Sequence, residues 1–138
     1  MNYISSPQSA FTESFYDLLS RTKHSKKAKQ VKPQDMWELL IAHQDGSITC
    51  WDQRHFDKPT RVIQIHNDDC RSVEYDPSCK YFASTSFDQT CKIYDIQSGQ
   101  VTSTLKSHSD RVVLAKWHPF FPILLTTSAD CQVKLFAA

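Results

Sequence analysis

Glycine is nearly missing from this chain of 138 residues: Gly46 and Gly99 are all it has, where a globular chain averages about 7%. Two isolated glycines cannot build the Gly-x-Ser-x-Gly elbow that presents a hydrolase serine, and they make a glycine-rich phosphate cradle a poor reading. Cysteine is present but never as Cys-x-x-Cys. Cys50, Cys70, Cys79, Cys91 and Cys131 stand singly and in odd number, which argues against a zinc knuckle or redox pair and for free thiols in the reducing cytoplasm or nucleus. The histidines are scattered one at a time, without His-Glu-x-x-His, so neither a metal nor another cofactor is expected. No apolar run approaches the roughly 18 residues of a membrane span. The N-terminus from Met1 to Ser5 lacks the charged and apolar blocks of a secretory signal, and no membrane association is expected.

What is present divides unevenly. Residues 1–35 hold six Lys/Arg against three Asp/Glu, and residues 36–138 hold ten against twelve. In the leader, Phe11, Phe15, Leu18 and Leu19 recur at helical spacing, and then a basic stretch begins at Arg21 with no apolar period. This predicts a short N-terminal helix and a basic linker over 1–35, with a boundary at Pro33, which disfavours helix at Lys32 and supplies no amide donor. Nucleic acid could be reached only through that leader. The aromatic residues beyond it read as strand core rather than a base-stacking platform.

Beyond residue 35 the chain repeats. Asp45, Asp88 and Asp130 are 43 and 42 residues apart, and six residues after each comes an aromatic: Trp51, Tyr94 and Phe136. Twenty-two residues before the second and third aspartates stand His66 and His108. A period of roughly 40–45 residues marks stacked units of one kind. Short β-branched and apolar runs such as Ile123 to Thr127, bounded by turn sequences at 45–47, 76–78 and 97–100, make each unit antiparallel β. The expected count is about ten strands, in a partial unit over 36–65, a complete one over 66–107 and a partial one over 108–138. Val112 to Lys116 and Arg71 to Tyr75 are the expected inner strands.

The order Ile65-His66, Ser86-Phe87-Asp88, Ile93-Tyr94-Asp95 resembles one WD repeat, and Ser107-His108, Ser128-Ala129-Asp130, Leu135-Phe136 resembles the next. The family dipeptide itself stands at Trp51-Asp52. The resemblance covers residues 37–136 and implies all-β, antiparallel WD40-type β-propeller blades. Since propellers close with about 4–8 blades of four strands, this chain is expected to form an incomplete ring. Both ends should then expose unpaired strand edges, inviting self-association or a partner that supplies missing blades.

In that family a histidine, a serine, the turn aspartate and the strand tryptophan form a buried hydrogen-bonded chain. The resemblance places it on His66, Ser86, Asp88 and Tyr94, and on His108, Ser128, Asp130 and Phe136. Tyrosine alters the last link and phenylalanine removes it, because its ring has no donor. The same Ser, His and Asp could be taken for a hydrolase triad. Their recurrence at fixed spacing in two repeats is instead how a structural element behaves, so the chain is not expected to be an enzyme. An active site in a cleft between blades is the remote alternative.

One stretch carries more than the fold. Leu39 through Trp51-Asp52-Gln53-Arg54 resembles the box of WD proteins that serve as substrate receptors for cullin-RING ubiquitin ligases, in which an arginine two residues after Trp-Asp docks the adaptor. His43 and Gln53 depart from the pattern. The expected role is therefore a non-catalytic scaffold or adaptor that binds other proteins. A ligase receptor docking through Trp51, Asp52 and Arg54 is the alternative, with a cullin-RING adaptor as its partner.

Overall fold

The computed structural model describes residues 25–31, as backbone, and residues 38–137. The helix expected in the leader lies outside them. The described residues form eleven strands: β1 (Ser25–Val31), β2 (Glu38–His43), β3 (Ser47–Asp52), β4 (Arg61–Gln64), β5 (Cys70–Tyr75), β6 (Tyr81–Ser86), β7 (Cys91–Asp95), β8 (Gln100–Leu105), β9 (Val112–Trp117), β10 (Ile123–Ser128) and β11 (Val133–Ala137). They make three antiparallel sheets in sequential order, β1-β2-β3-β4, β5-β6-β7-β8 and β9-β10-β11. Each sheet is one blade.

Two expectations need correction. The basic linker does not run unbroken to residue 35, because Ser25–Val31 pairs with β2 from Ser25 opposite His43 to Val31 opposite Leu39. The first unit is therefore not partial: it has four strands and begins by residue 25. Ladder pairing uses backbone amides and carbonyls, which a lysine-rich segment supplies as well as an apolar one. The last unit lacks a fourth strand among the described residues, as the repeat pattern implies.

The innermost strands lie side by side, β1 next to β5 and β5 next to β9, so the blades stack face to face. Directly opposed residues share a face, and the pairings assign the faces. Leu40, Ala42, Ile48, Cys50 and Ile63 of the first blade meet Cys70, Val73, Tyr75, Phe82 and Tyr94 of the second. Ala83 and Cys91, on the opposite face of the second blade, meet Ala115 and Leu124 of the third. A middle blade is thus buried on both faces, which is why β6 reads as a nearly continuous buried run rather than an alternation. Phe82, 1% exposed, stacks on Tyr94 with ring centroids 4.8 Å apart and meets Tyr75 edge-on. Burial of one such ring contributes about 1.5–3 kcal/mol. Across the second seam, the Ala115 amide donates to Ser72 Oγ at 3.2 Å, and Lys116 ion-pairs with Glu74 at 2.9 Å.

Each blade reverses between its second and third strands, or enters its last, at an aspartate. Asp45 accepts from the Ser47 amide at 2.9 Å, Asp88 from the Thr90 amide at 3.0 Å and Asp130 from the Gln132 amide at 3.0 Å. The residue after each aspartate takes positive φ: Gly46 at 83°, Gln89 at 69° and Cys131 at 63°. A carboxylate that satisfies the amide two residues on makes this tight corner available even to a side-chain-bearing residue.

Candidate functional site

The histidines sit in the segments entering the second and third blades, where each meets the turn aspartate of its own blade. His66 Nδ1 lies 2.9 Å from Asp88 Oδ2, and its Nε2 lies 2.8 Å from Ser84 Oγ. His108 repeats the arrangement, 2.8 Å from Asp130 Oδ2 and 2.8 Å from Thr126 Oγ1. Thr90 Oγ1 donates to the other oxygen of Asp88, Oδ1, at 2.6 Å. A charged carboxylate at Nδ1 fixes the proton there and leaves Nε2 to accept from the hydroxyl.

The serines predicted from sequence are not in this chain. Ser86 instead donates to the Asp68 carbonyl at 3.1 Å and accepts from the Asp88 amide at 3.1 Å. Ser128 does the same with Asp110 and Asp130. Ser84 and Ser86 are two apart on β6 and share a face, as do Thr126 and Ser128 on β10. Both hydroxyl pairs recur at the 42-residue period, so spacing alone could not tell which member faces the imidazole. Tyr94 is also elsewhere, packed on Phe82 within the first seam. Phe136 packs against the second seam and contributes no polar link.

These side chains are committed to the fold. His66, Ser84 and Thr126 are fully buried, so no substrate carbonyl can reach either hydroxyl, and a triad reading fails on access. Burial pushes the His66 imidazole below its ordinary range, although Asp88 pulls the other way. Asp88 is raised by burial, but its hydrogen bonds from Thr90 and its pairing with His66 outweigh that and hold it low. Burial likewise opposes Asp130, but bonds from His108 and two backbone amides carry it down to about 2.

These directions fix the response to acid. An imidazole kept neutral by burial takes no proton in the folded chain, while the unfolded chain takes one below pH 6.5. The unfolded state then binds more protons, and stability falls as pH drops through that value. His43, lowered by burial, adds the same sign. The depressed carboxylates of Asp45, Asp88 and Asp130 contribute stability above the ordinary carboxylate range that is lost as pH falls through their folded values. The melting temperature should therefore be lower at about pH 5.5 than at about pH 7.5, with a second loss below about pH 4. A melt that does not change between the first two would show that His66 is not buried in neutral form.

The first blade carries a different arrangement. Trp51 Nε1 donates to Thr49 Oγ1 at 2.8 Å, and His43 Nε2 lies 2.7 Å from the same oxygen. Trp51 is 6% exposed and packs with Leu39, Ile41 and Phe56. It anchors the end of β3 and offers no contact surface, contrary to the expectation that it docks a partner. Asp52 and Arg54 remain at the surface. Arg54 grips Asp52 with two nitrogens, Nε at 3.0 Å and Nη2 at 2.7 Å, while its side chain is 54% exposed. This fork takes the Asp52 carboxyl down to about 2. A guanidinium held this way is oriented before any partner arrives.

Sequence reasoning also missed a surface groove of about 490 Å³ where the second and third blades meet. Tyr81, Ile93, Trp117, Phe120 and Phe121 line it.

The family of the WD domain, G-beta repeat (WD40), matches residues 57–95 and 99–136, more than half of the chain. The chain belongs to the WD40 family. Among similar proteins is DDB1- and CUL4-associated factor 13 of Xenopus tropicalis, 24% identical over 107 residues, covering 77% of this chain and 24% of that protein. Coronin-7 of Rattus norvegicus is 27% identical over 111 residues, covering 75% and 12%. Pre-mRNA-processing factor 17 of Saccharomyces cerevisiae is 32% identical over 71 residues, covering 51% and 16%. The chain thus spans a quarter or less of the length of these relatives. Among the described residues, no helix is long and apolar enough to cross a membrane.

Proposed function

We propose that this chain is a non-catalytic interaction module, a scaffold or adaptor that binds other proteins through its blade surfaces. The observation that carries this reading is where the reactive side chains go. Both histidine–aspartate pairs and their hydroxyl partners are consumed inside blades, while the exposed features include an oriented arginine and an apolar groove, elements with which surfaces recognise proteins. The cysteines are unpaired, which suits a cytoplasmic or nuclear location. Affinity purification of the tagged chain, followed by identification of co-eluting proteins, tests the reading. Nothing above an untagged control would overturn it.

A narrower reading has one specific observation in its favour. The Asp52–Arg54 fork sits at the end of β3 next to a buried Trp51, and a relative aligned over 77% of the chain is named for association with DDB1 and CUL4. In this reading the chain is a substrate receptor of a cullin-RING ligase and docks its adaptor through Arg54. Arg54→Ala should abolish co-purification of DDB1 while changing stability by less than about 0.5 kcal/mol, as for an exposed ion pair. If the wild-type chain never brings down DDB1, the receptor reading fails and the scaffold reading stands.

A further inference from the structure

The seam between the second and third blades does not close at the surface. Ile93 and Trp117 pack against its buried residues, and beyond them lies the groove of about 490 Å³ that Tyr81, Phe120 and Phe121 complete. Both walls belong to this chain. Trp117 pairs across the ladder with Leu124 and so stands on the seam side of the third blade. A blade following the third would pack on the other side and would not fill the groove.

The loop that forms one wall is braced before anything binds. It runs from His118 to Pro122, and Pro119 and Pro122 fix φ at two of its positions. His118 Nδ1 accepts from the amides of Phe120 and Phe121, each at 3.1 Å, and the His118 amide donates to the Ile123 carbonyl at 2.8 Å. The imidazole also lies against the Phe121 ring, with centroids 4.9 Å apart. Phe120 is nevertheless 86% exposed and Phe121 60%. Large apolar rings held in water by a braced loop mark a contact surface, and bracing leaves little entropy to lose on binding.

The polar groups of the groove narrow what fits it. Among the residues that line it only Asp76 is charged, and its carboxylate already accepts from the Tyr81 and Ser78 amides and from the Ser78 hydroxyl. Thr102 Oγ1 donates to the Ile93 carbonyl at 3.2 Å. Two donors are left over, the Tyr81 hydroxyl and the Trp117 indole N–H, neither with a partner among the described residues. A strand would bring as many amides in need of acceptors as carbonyls, and a helix brings neither, because its backbone groups are bonded internally. A proline-rich segment brings carbonyls without amide donors, in an extended helix with no internal hydrogen bonds, and aromatic-lined grooves accept its rings.

We propose that this groove binds a proline-rich segment of a partner protein in the polyproline II conformation. Its pyrrolidine rings pack on Tyr81, Trp117 and Phe120, and one of its carbonyls accepts from the Tyr81 hydroxyl. The proposal rests on the reading of the chain as an interaction module and names the class of partner. A groove of this volume holds only a few residues, so a single segment binds weakly and exchanges fast.

Nuclear magnetic resonance titration of the isotope-labelled 138-residue chain with a decaproline peptide, up to about 2 mM, tests this. The Trp117 indole resonance, identified by its loss in Trp117→Phe, should shift and saturate. The Trp51 indole, bonded to Thr49 in the first blade, should not move. Phe120→Ser with Phe121→Ser should weaken binding at least about tenfold and keep the wild-type melting curve, since both rings are exposed. Tyr81→Phe, which removes only the hydroxyl, should weaken it about fivefold. Absence of a saturable shift in the wild-type chain overturns the proposal, and so does full affinity in either variant. Equal binding of a glycine–serine peptide of the same length, or binding of an amphipathic leucine–lysine helix in place of decaproline, overturns it too. None of these results touches the scaffold reading, which the affinity purification decides on its own.

Discussion

Gly46→Ala should cost on the order of 3–5 kcal/mol, among the largest effects of any single substitution in this chain. Gly46 has φ of 83°, and a Cβ there would lie 2.2 Å from the carbonyl oxygen of His66 and 2.7 Å from its carbon. Both obstacles are backbone, so no side-chain rotation relieves them. Positive φ alone is not the reason, because Gln89 and Cys131 occupy the equivalent corners with side chains in place. The difference is the close approach of another segment: the Gly46 carbonyl accepts from the His66 amide at 3.0 Å, which ties the corner of the first blade to the residue that opens the second blade's buried network. Displacing that backbone loosens the tie and the His66 site together. Thermal denaturation followed by circular dichroism reads the effect as a lost or strongly lowered cooperative transition. A melting temperature within error of wild type would mean that the two segments do not approach as described.

Asp88→Ala is the second. It removes the acceptor for His66 Nδ1, for the Thr90 amide and for the Thr90 hydroxyl, leaving the fully buried imidazole only a longer contact, at 3.3 Å, with Thr90 Oγ1. Stranding buried polar groups costs about 1–3 kcal/mol, and the loss should appear as a lowered denaturant midpoint with little change in slope. The equivalent Asp130→Ala should cost less, since the third blade has a covered neighbour on one face only. A cycle combining Asp88→Ala with His66→Ala should be strongly non-additive, because either change alone breaks the same bond. Additive losses would show that the pair is not coupled.

Much of this was legible in the residues. The 43- and 42-residue spacing of Asp45, Asp88 and Asp130 located the corners because an aspartate that bonds two residues ahead is a local device, written in a few consecutive positions. His66 and His108 were legible for the same reason, each at a fixed offset from its corner. What failed was choice between neighbours and recognition of pairing. Ser84 and Ser86 offer the same hydroxyl on the same face, and only the path of the segment holding His66 decides which is met. The first strand, Ser25–Val31, carries no apolar alternation, so its place beside Glu38–His43 could not be read from composition. Trp51 was assigned correctly to a strand end but wrongly to a contact surface, because its exposure depends on what packs around Leu39 and Ile41.

The five thiols have a use as internal reporters. Cys50 lies in the seam between the first two blades, Cys91 in the seam between the last two, Cys70 at the inner strand of the middle blade, Cys79 buried in the turn between β5 and β6, and Cys131 at the surface. Burial pushes the thiols of Cys50 and Cys91 up to about 12, so neither reacts while its seam is shut, since only the thiolate is nucleophilic. An alkylating reagent will therefore tag Cys131 at once and the others only as breathing exposes them. The order in which Cys91 and Cys50 become tagged is a clock for the two seams, read by peptide mass on the unmodified protein.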